Sequence, residues 1–306
     1  MLTSPLMLKW PSLVAFCALT LPLSTWGAEA ADSFSLSESS GRELMQAVYD
    51  RHRQYPYVYE EHSMVLIDRE GKRETRKVKL YSRVEENQLQ RLLLLFDSPE
   101  EVKGVAVLAE REPNGDTRQA IYLPALGEGL IENSGETGDA SFLGTDFSVE
   151  NLKGEQLEDY QYRRQRDVMI NDKMHCVVDV FDLPVSDLEE ASNPIPLRRH
   201  FISQDNVYIT RTDYYDDLGR VRKRQTHHDL TQVLGTMWRA NMLLMENFHN
   251  EHQTLIKVDK RVFSKDYVPS EVFTSEYLHQ YNQSTQPEQD EADNEVEAEL
   301  TGGAEQ

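Results

Sequence analysis

The densest group of potential metal ligands in the sequence is the run His227, His228 and Asp229. A zinc site needs three or four such side chains that converge on one ion. Adjacent residues of a strand point to opposite faces, however, so His227 and His228 would not reach the same ion. His249 and His252 are spaced i and i+3, but in a segment that is typical of a turn. We therefore expect solvated histidines, no metal site and no cofactor.

Motifs that mark catalytic or nucleotide-binding sites do not occur in the sequence. It contains no G-x-G-x-x-G, Walker A, G-x-S-x-G or H-E-x-x-H pattern. Cys176 lies between His175 and Val177 in an apolar stretch, which favours a small buried side chain over a nucleophile. The sequence therefore predicts a protein that is not an enzyme.

Apolar side chains carry the more informative pattern. Residues Leu92–Phe96 are five large apolar side chains in a row, and Met237–Met245 is a second apolar segment, which Arg239 and Asn241 interrupt. In a half-buried strand one face would be polar. Burial is worth about 1.5–3 kcal/mol for each of these side chains, so both faces of each strand need a cover. Either helices and the rest of the sheet fill both sides, or one face lines an apolar ligand cavity.

The elements that would position these runs form an α+β domain. Ser40 and Glu43 are spaced as a capping box, and an amphipathic helix follows that continues to Tyr55 and stops at Pro56. Residues 57–263 show short strand patterns with a turn signal every 8–14 residues, which predicts an antiparallel meander of about eleven strands. Two further helices are expected within Ser141–Leu152 and Pro269–Tyr281.

Charge excludes one class of partner. The net charge is −21, which offers no basic groove for nucleic acid. Residues 284–306 contain eight acidic residues and no basic or aromatic residue, which predicts a disordered acidic tail. Basic residues do cluster in Arg69–Lys79 and Gly219–His228. Both clusters suit a solvated outer face of the sheet, and a patch for anionic lipid head groups or a membrane partner is the alternative.

The N-terminus has the layout of a secretory signal peptide. Lys9 precedes an apolar run over residues 11–23, and small residues at Ala28 and Ala30 suit cleavage. An uncleaved anchor and a lipoprotein acylated at Cys17 are the alternatives, although Phe16 stands where a small residue is expected before such a cysteine. After cleavage only one cysteine remains, so the mature chain has no intrachain disulfide.

The order of these features resembles the LolA-like outer membrane lipoprotein-sorting family. The segments that carry the resemblance are LLLLFDSPEEVKGVAVL (92–108), YLPAL (122–126), SFLGTDFSVENL (141–152) and HQTLIKVDKRVFSKDYVPSEVFTSEYL (252–278). The resemblance covers about residues 40–281. It implies an incomplete antiparallel β-barrel with helices that form a lid over an apolar interior.

It also implies a periplasmic carrier or binding protein for lipid or for lipoprotein acyl chains. A resistance-nodulation-division (RND) inner-membrane transporter is the partner that it suggests. The alternative function is an accessory module that binds an envelope transporter complex and carries no lipid. The predicted organisation is a signal peptide over residues 1–30, a LolA-like lipid- or lipoprotein-binding domain over residues 31–283, and the tail over residues 284–306.

Strand alternation selects candidate residues for the cavity lining, although a slip of one residue would invert every choice of face. The candidates for the cavity lining are Leu92, Leu94, Phe96, Val105, Val107, Cys176, Val178, Trp238, Met242 and Leu244. The candidates for the lid are Phe142, Phe147, Leu152, Phe273 and Tyr277.

Overall fold

The computed structural model describes residues 35–112, 116–126, 130–132, 141–153, 155–182 and 184–285. The compact unit that these residues form begins at Leu36. The predicted signal peptide, including Cys17, and residues 286–306 of the predicted tail lie outside the described residues.

The described residues form one sheet of thirteen antiparallel strands, accompanied by four α-helices. The strands are β1 (Tyr57–Ile67), β2 (Arg73–Val84), β3 (Gln90–Ser98), β4 (Ala106–Arg111), β5 (Thr117–Tyr122), β6 (Leu130–Glu132), β7 (Gln161–Ile170), β8 (Lys173–Phe181), β9 (Arg198–Ser203), β10 (Tyr208–Tyr215), β11 (Val221–Leu234), β12 (Met237–Asn247) and β13 (His252–Val262). The helices are α1 (Gly41–His52), α2 (Val149–Lys153), α3 (Val185–Glu190) and α4 (Ser275–Thr285).

The sheet is a meander with one long-range pairing. Its strand order is β6-β5-β4-β3-β2-β1-β13-β12-β11-β10-β9-β8-β7, so the first and last strands pair in the middle and β6 and β7 form the two edges. Within the described residues these two edges do not pair, and the curled sheet is an incomplete barrel. The predicted α+β class and barrel are confirmed. The sheet has more strands than the expected eleven, partly because β6 is too short to show an alternating pattern.

Strand β3 shows how both faces of an apolar strand are covered. Leu92, Leu94 and Phe96 point to one face of the sheet, where they pack in a cluster with Leu80 and Ile256. We call this the inner face. Leu93 and Leu95 point to the opposite, outer face and belong to a separate cluster. All five side chains of Leu92–Phe96 are at most 3% exposed.

The outer face of β1–β5 is covered by the C-terminal part of the chain. The outer cluster includes Leu278 of α4 and, from the turns before this helix, Val268 and Phe273. Gly104 permits this contact, because its φ is +76° and a Cβ there would lie 1.6 Å from the Asn282 side chain. Asn282 donates a hydrogen bond to the Gly104 carbonyl at 3.3 Å. Helix α4 therefore acts as a fixed cover of the outer face.

Two other segments cover the inner face. Helix α1 begins with the predicted capping box, in which Ser40 Oγ accepts from the Glu43 amide at 3.3 Å and Glu43 Oε2 accepts from the Ser40 amide at 2.7 Å. Its Leu44 packs on strands β8 and β9. The helix ends at His52, earlier than the predicted end at Tyr55. Tyr55 precedes Pro56, and the residue before a proline is disfavoured from helical geometry. Residues 141–153 cover the inner face over β1–β4, β12 and β13.

The outer cluster predicts a large effect of a single truncation. Leu95→Ala is expected to lower the free energy of unfolding by about 2–5 kcal/mol, because it leaves a cavity at a fully buried position. Leu218 is 73% exposed in the turn after β10, so Leu218→Ala should change stability by less than about 0.5 kcal/mol. Urea unfolding of both variants checks this. A small effect of Leu95→Ala would mean that α4 does not pack on β3.

Candidate functional site: a cavity on the inner face

A cavity of about 500 Å³ lies between α1, α2 and the inner face of the sheet. One side of it is apolar and comes from strands that are distant in sequence. Its apolar lining includes Leu80, Leu92, Leu152, Leu243 and Ile256. These residues adjoin the inner cluster, so the cavity is a gap that the inner core leaves next to α1.

A charged cluster lines the cavity beside these apolar residues, since Glu60 of β1 is the cross-strand partner of Leu80 on the same face of the sheet. Glu60 Oε1 accepts a hydrogen bond from Arg261 Nε at 2.5 Å, and Glu60 Oε2 lies 2.6 Å from His62 Nε2. The two partners of the Glu60–Arg261 pair are only 12% and 10% exposed. Burial alone would raise the pKa of Glu60, but His62 and Arg261 outweigh burial and lower the pKa to about 2. Glu60 is therefore ionised at neutral pH.

His52, the last residue of α1, lines the cavity. Its Nδ1 accepts a hydrogen bond from the Trp238 amide at 3.1 Å, so its Nε2 carries the proton and donates to the Val207 carbonyl at 3.0 Å. Burial is the main reason that the pKa of His52 is lowered to about 4, and the positive charge of Arg239 lowers it further. His52 is thus a neutral side chain that joins α1 to β12 and to the turn before β10.

A smaller cavity of about 170 Å³ adjoins the first and shares Asn151, Ile209, Gln225 and His227 with it. Glu155 lies at its wall and accepts a hydrogen bond from Arg198 Nε at 2.7 Å. Burial would raise the pKa of Glu155, but His200 and Arg198 lower it to about 2. The carboxylate of Glu155 is therefore ionised at neutral pH, and Arg198 compensates its charge within the fold.

Two histidines that line the cavity, His52 and His227, predict a pH dependence of stability. His52 and His227 both have a pKa of about 4 in the folded protein, against an ordinary value of 6.5, and burial is the main cause for each. The unfolded chain thus binds protons between pH 6.5 and 4 that the folded protein excludes. The stability from these neutral histidines is complete above pH 6.5 and is lost as the pH falls toward 4.

Urea unfolding over that pH range measures this contribution. Each histidine should contribute a slope of at most about 1.4 kcal/mol per pH unit. His52→Gln should flatten the curve, whereas His228→Gln, at an exposed position of β11, should not. Identical slopes in wild type and His52→Gln would contradict the assignment of His52 as neutral.

The structure divides the predicted lining residues among several places. Leu92 lines the cavity. Leu94, Phe96 and Val107 belong to the adjoining inner cluster. Two other candidates, Cys176 and Val178, pack under α1 in a third cluster. Burial raises the pKa of the Cys176 thiol. Val105 is buried beside β4, outside these three clusters.

Strand β12 turns toward the cavity the set of alternating side chains that was not predicted to line it. Leu243 lines the cavity and Met245 belongs to the inner cluster, so this alternating set faces inward. Trp238, Met242 and Leu244 are half-buried and do not line the cavity. The inward set also contains Arg239, so strand alternation favoured the more apolar set of Trp238, Met242 and Leu244 for a face that is partly polar.

The predicted lid residues lie on both sides of the sheet. Phe142, Phe147 and Leu152 pack on the inner cluster, and Leu152 also lines the cavity. Phe273 and Tyr277 pack in the outer cluster. A contact of any of the fifteen candidates with lipid stays a prediction.

Sequence reasoning missed the polar wall of the cavity, the part of its lining that Glu60, His62 and Arg261 form. The alternation Val58, Glu60, His62 and Met64 in β1 contained a signal, because it places a carboxylate and an imidazole among residues of one inward face. Their partner Arg261 lies on β13, which pairs with β1 through the long-range closure of the sheet. That contact depends on the topology and not on any local pattern.

Solved structures confirm the type of fold. A domain from Vibrio parahaemolyticus, described as belonging to an outer membrane lipoprotein-sorting protein, is 22% identical, with a TM-score of 0.69 over 78% of this chain and 98% of that one. A DUF1329 family protein from Desulfovibrio piger is 21% identical, with a TM-score of 0.65 over 76% and 97% of the two chains. A LolA superfamily protein from Nitrosomonas europaea is 14% identical, with a TM-score of 0.57 over 78% and 99%.

Sequence comparison gives a family but no curated relative. A family model described as "-like: Uncharacterized protein" matches residues 88–280. No curated protein matches the chain. Among the described residues, no helix has both the length and the apolar character needed to cross a bilayer.

Proposed function

The chain belongs to the family whose model matches residues 88–280 and has the LolA-like fold, and on this basis we propose that it is a periplasmic carrier of lipid or of lipoprotein acyl chains. The carrier binds its cargo without chemical change and shields the acyl chain from water. Lipoprotein sorting, the term attached to the relative from Vibrio parahaemolyticus, agrees with this proposal.

The cavity on the inner face is the observation that carries the proposal. Its volume of about 500 Å³ falls within the range of about 300–1,000 Å³ that is usual for small-molecule sites. Leu80, Leu92 and Leu243 give it an apolar wall. Each CH₂ group that moves from water to such a wall contributes about 0.8 kcal/mol, so affinity should grow with chain length.

The route to the periplasm rests on the N-terminal sequence. The layout of Lys9, the apolar run at residues 11–23 and the small residues after it supports export by a cleaved signal peptide. The RND-type transporter stays a prediction that the resemblance alone suggests.

A vesicle assay tests the carrier function. Donor vesicles contain a fluorescent lysophospholipid, acceptor vesicles contain a quencher, and the rate of transfer is measured with and without the protein. We expect the rate to rise in proportion to protein concentration. A rate that is independent of protein concentration, although the protein is folded, would contradict carriage and favour an accessory module without lipid cargo.

A further inference from the structure

The polar wall of the cavity has more positive than negative charge. The lining residues that the structure describes include five arginines but one carboxylate, Glu60. This excess is unexpected in a chain with a net charge of −21. It raises the question of which of these guanidinium groups already has an anionic partner.

Three of the five arginines are paired within the fold. Arg261 binds Glu60, as described above. Arg83 Nε lies 2.5 Å from Glu85, and Arg91 lies 3.4 Å from the same carboxylate. The positive charges of these three arginines are therefore compensated by acidic side chains.

Arg53 and Arg239 form no ion pair with any carboxylate in the described part of the chain. Arg53 donates to the Glu155 backbone carbonyl at 2.7 Å, and its guanidinium lies 4.4 Å from the centre of the Tyr49 ring. Arg239 donates to the carbonyl of its neighbour Trp238 at 3.1 Å. Neither contact supplies a negative charge, so both guanidinium groups have donors left for an anion.

The position of Arg239 makes an uncompensated charge costly. Burial lowers the pKa of Arg239, and Arg261 and Arg53 lower it further, although the nearby Tyr208 and Glu60 oppose them. A partly buried charge without a partner destabilises a protein unless water or a ligand satisfies it. The groups that would otherwise neutralise Arg239 are occupied, since Glu60 already binds Arg261 and His62.

Each of two imidazoles at the same wall has one ring nitrogen without a hydrogen-bond partner among the described residues. His62 is 3% exposed, and its Nδ1 is buried with no hydrogen-bond partner among the described residues. The Nδ1 of His227 is in the same state, whereas its Nε2 accepts from the Gln225 amide at 2.9 Å. Both histidines line the cavity. The polar wall thus has unused hydrogen-bonding groups as well as unmatched charge.

We propose that the cavity binds a single-chain amphiphile with an anionic head group, which Arg239 and Arg53 hold at the polar wall while the acyl chain lies along Leu80, Leu92 and Leu243. This inference rests on the proposed function and narrows its cargo. The volume of about 500 Å³ suits one chain. An anionic group at Arg239 forms an ion pair, with charge on both partners, that a neutral head group cannot form.

Matched ligands test the head group separately from the chain. Radiolabelled oleate and oleamide have the same acyl chain, and only oleate is charged. We expect the full protein to bind oleate about tenfold more tightly than oleamide, since only the carboxylate of oleate can form an ion pair with Arg239 and Arg53. Arg239→Gln should weaken oleate binding about tenfold and leave oleamide binding unchanged.

Two further variants control for structural damage. Arg239→Lys keeps the charge and should restore most of the preference for oleate. Arg69→Gln removes a charge from a side chain that is 71% exposed in the turn after β1, so it should change neither affinity.

Equal binding of oleate and oleamide by wild type would overturn the head-group site and leave the acyl-chain carrier intact. A preference for oleate that persists in a variant with both Arg53→Gln and Arg239→Gln would do the same. Failure to bind either ligand would overturn both this inference and the proposed function.

Discussion

Leu243→Asp is expected to lower the affinity for an acyl chain at least about tenfold, whereas Leu244→Asp should leave it nearly unchanged. The two residues are neighbours on β12, but only Leu243 lines the cavity. Aspartate at position 243 removes an apolar contact and places a charge against the chain, which is unfavourable unless the charge is paired. Equilibrium binding of radiolabelled oleate by the two variants gives the comparison.

Folding needs a separate control, because Leu243 also packs against the inner cluster. Leu152→Asp, on α2, changes the lining from a different element and should also lower oleate affinity. Both variants should keep the circular-dichroism spectrum of an antiparallel sheet. Equal loss of binding in Leu243→Asp and Leu244→Asp would contradict the inward register of β12.

Arg261→Met is expected to lower the free energy of unfolding by about 3–5 kcal/mol, because breaking a buried ion pair leaves an uncompensated charge. The substitution removes the guanidinium that binds Glu60 and leaves a buried carboxylate with His62 alone. Lys260→Met is the matched control, because Lys260 pairs with Glu61 at 3.1 Å where both side chains are more than 40% exposed. An exposed pair of this kind contributes about 0–1 kcal/mol.

The same variant should also change the dependence of stability on pH. In wild type the pKa of Glu60 is about 2, so the stability from its ionised form is complete above 4.5 and is lost as the pH falls toward 2. Without Arg261 the carboxyl protonates at higher pH, and the unpaired charge disappears. The difference between wild type and Arg261→Met should therefore shrink on acidification, as measured by urea unfolding. A difference that stays constant with pH would mean that Glu60 is not its cause.

Local sequence signals were sufficient for the α+β class and the antiparallel meander, whereas the incomplete barrel was implied by the family resemblance. The capping box at Ser40 predicted the start of α1, and the strand runs with their turns predicted an antiparallel meander. The double-sided burial of β3 was also predictable, because five consecutive large apolar residues leave no polar face. These signals are short-range, and each is contained within a few residues of the chain.

The site was less predictable because its determinants are long-range. Leu243 and Leu244 are chemically identical, so only the pairing of β12 with its neighbours selects which one faces the cavity. Helix α3 is shorter than two turns and leaves little periodic signal. The polar wall joins Glu60 of β1 with Arg261 of β13 and Arg239 of β12, and no local pattern brings these residues together.

Native mass spectrometry of the folded protein, followed by solvent extraction, tests the central claim most directly. A carrier with an apolar cavity should retain lipid during purification, so the spectrum should show adducts, and the extract should contain single-chain amphiphiles with an acidic head group. The Leu243→Asp variant, purified in parallel, should show fewer adducts. A wild-type mass that equals the bare chain, and that stays so after incubation with phospholipid and oleate vesicles, would contradict the carrier function.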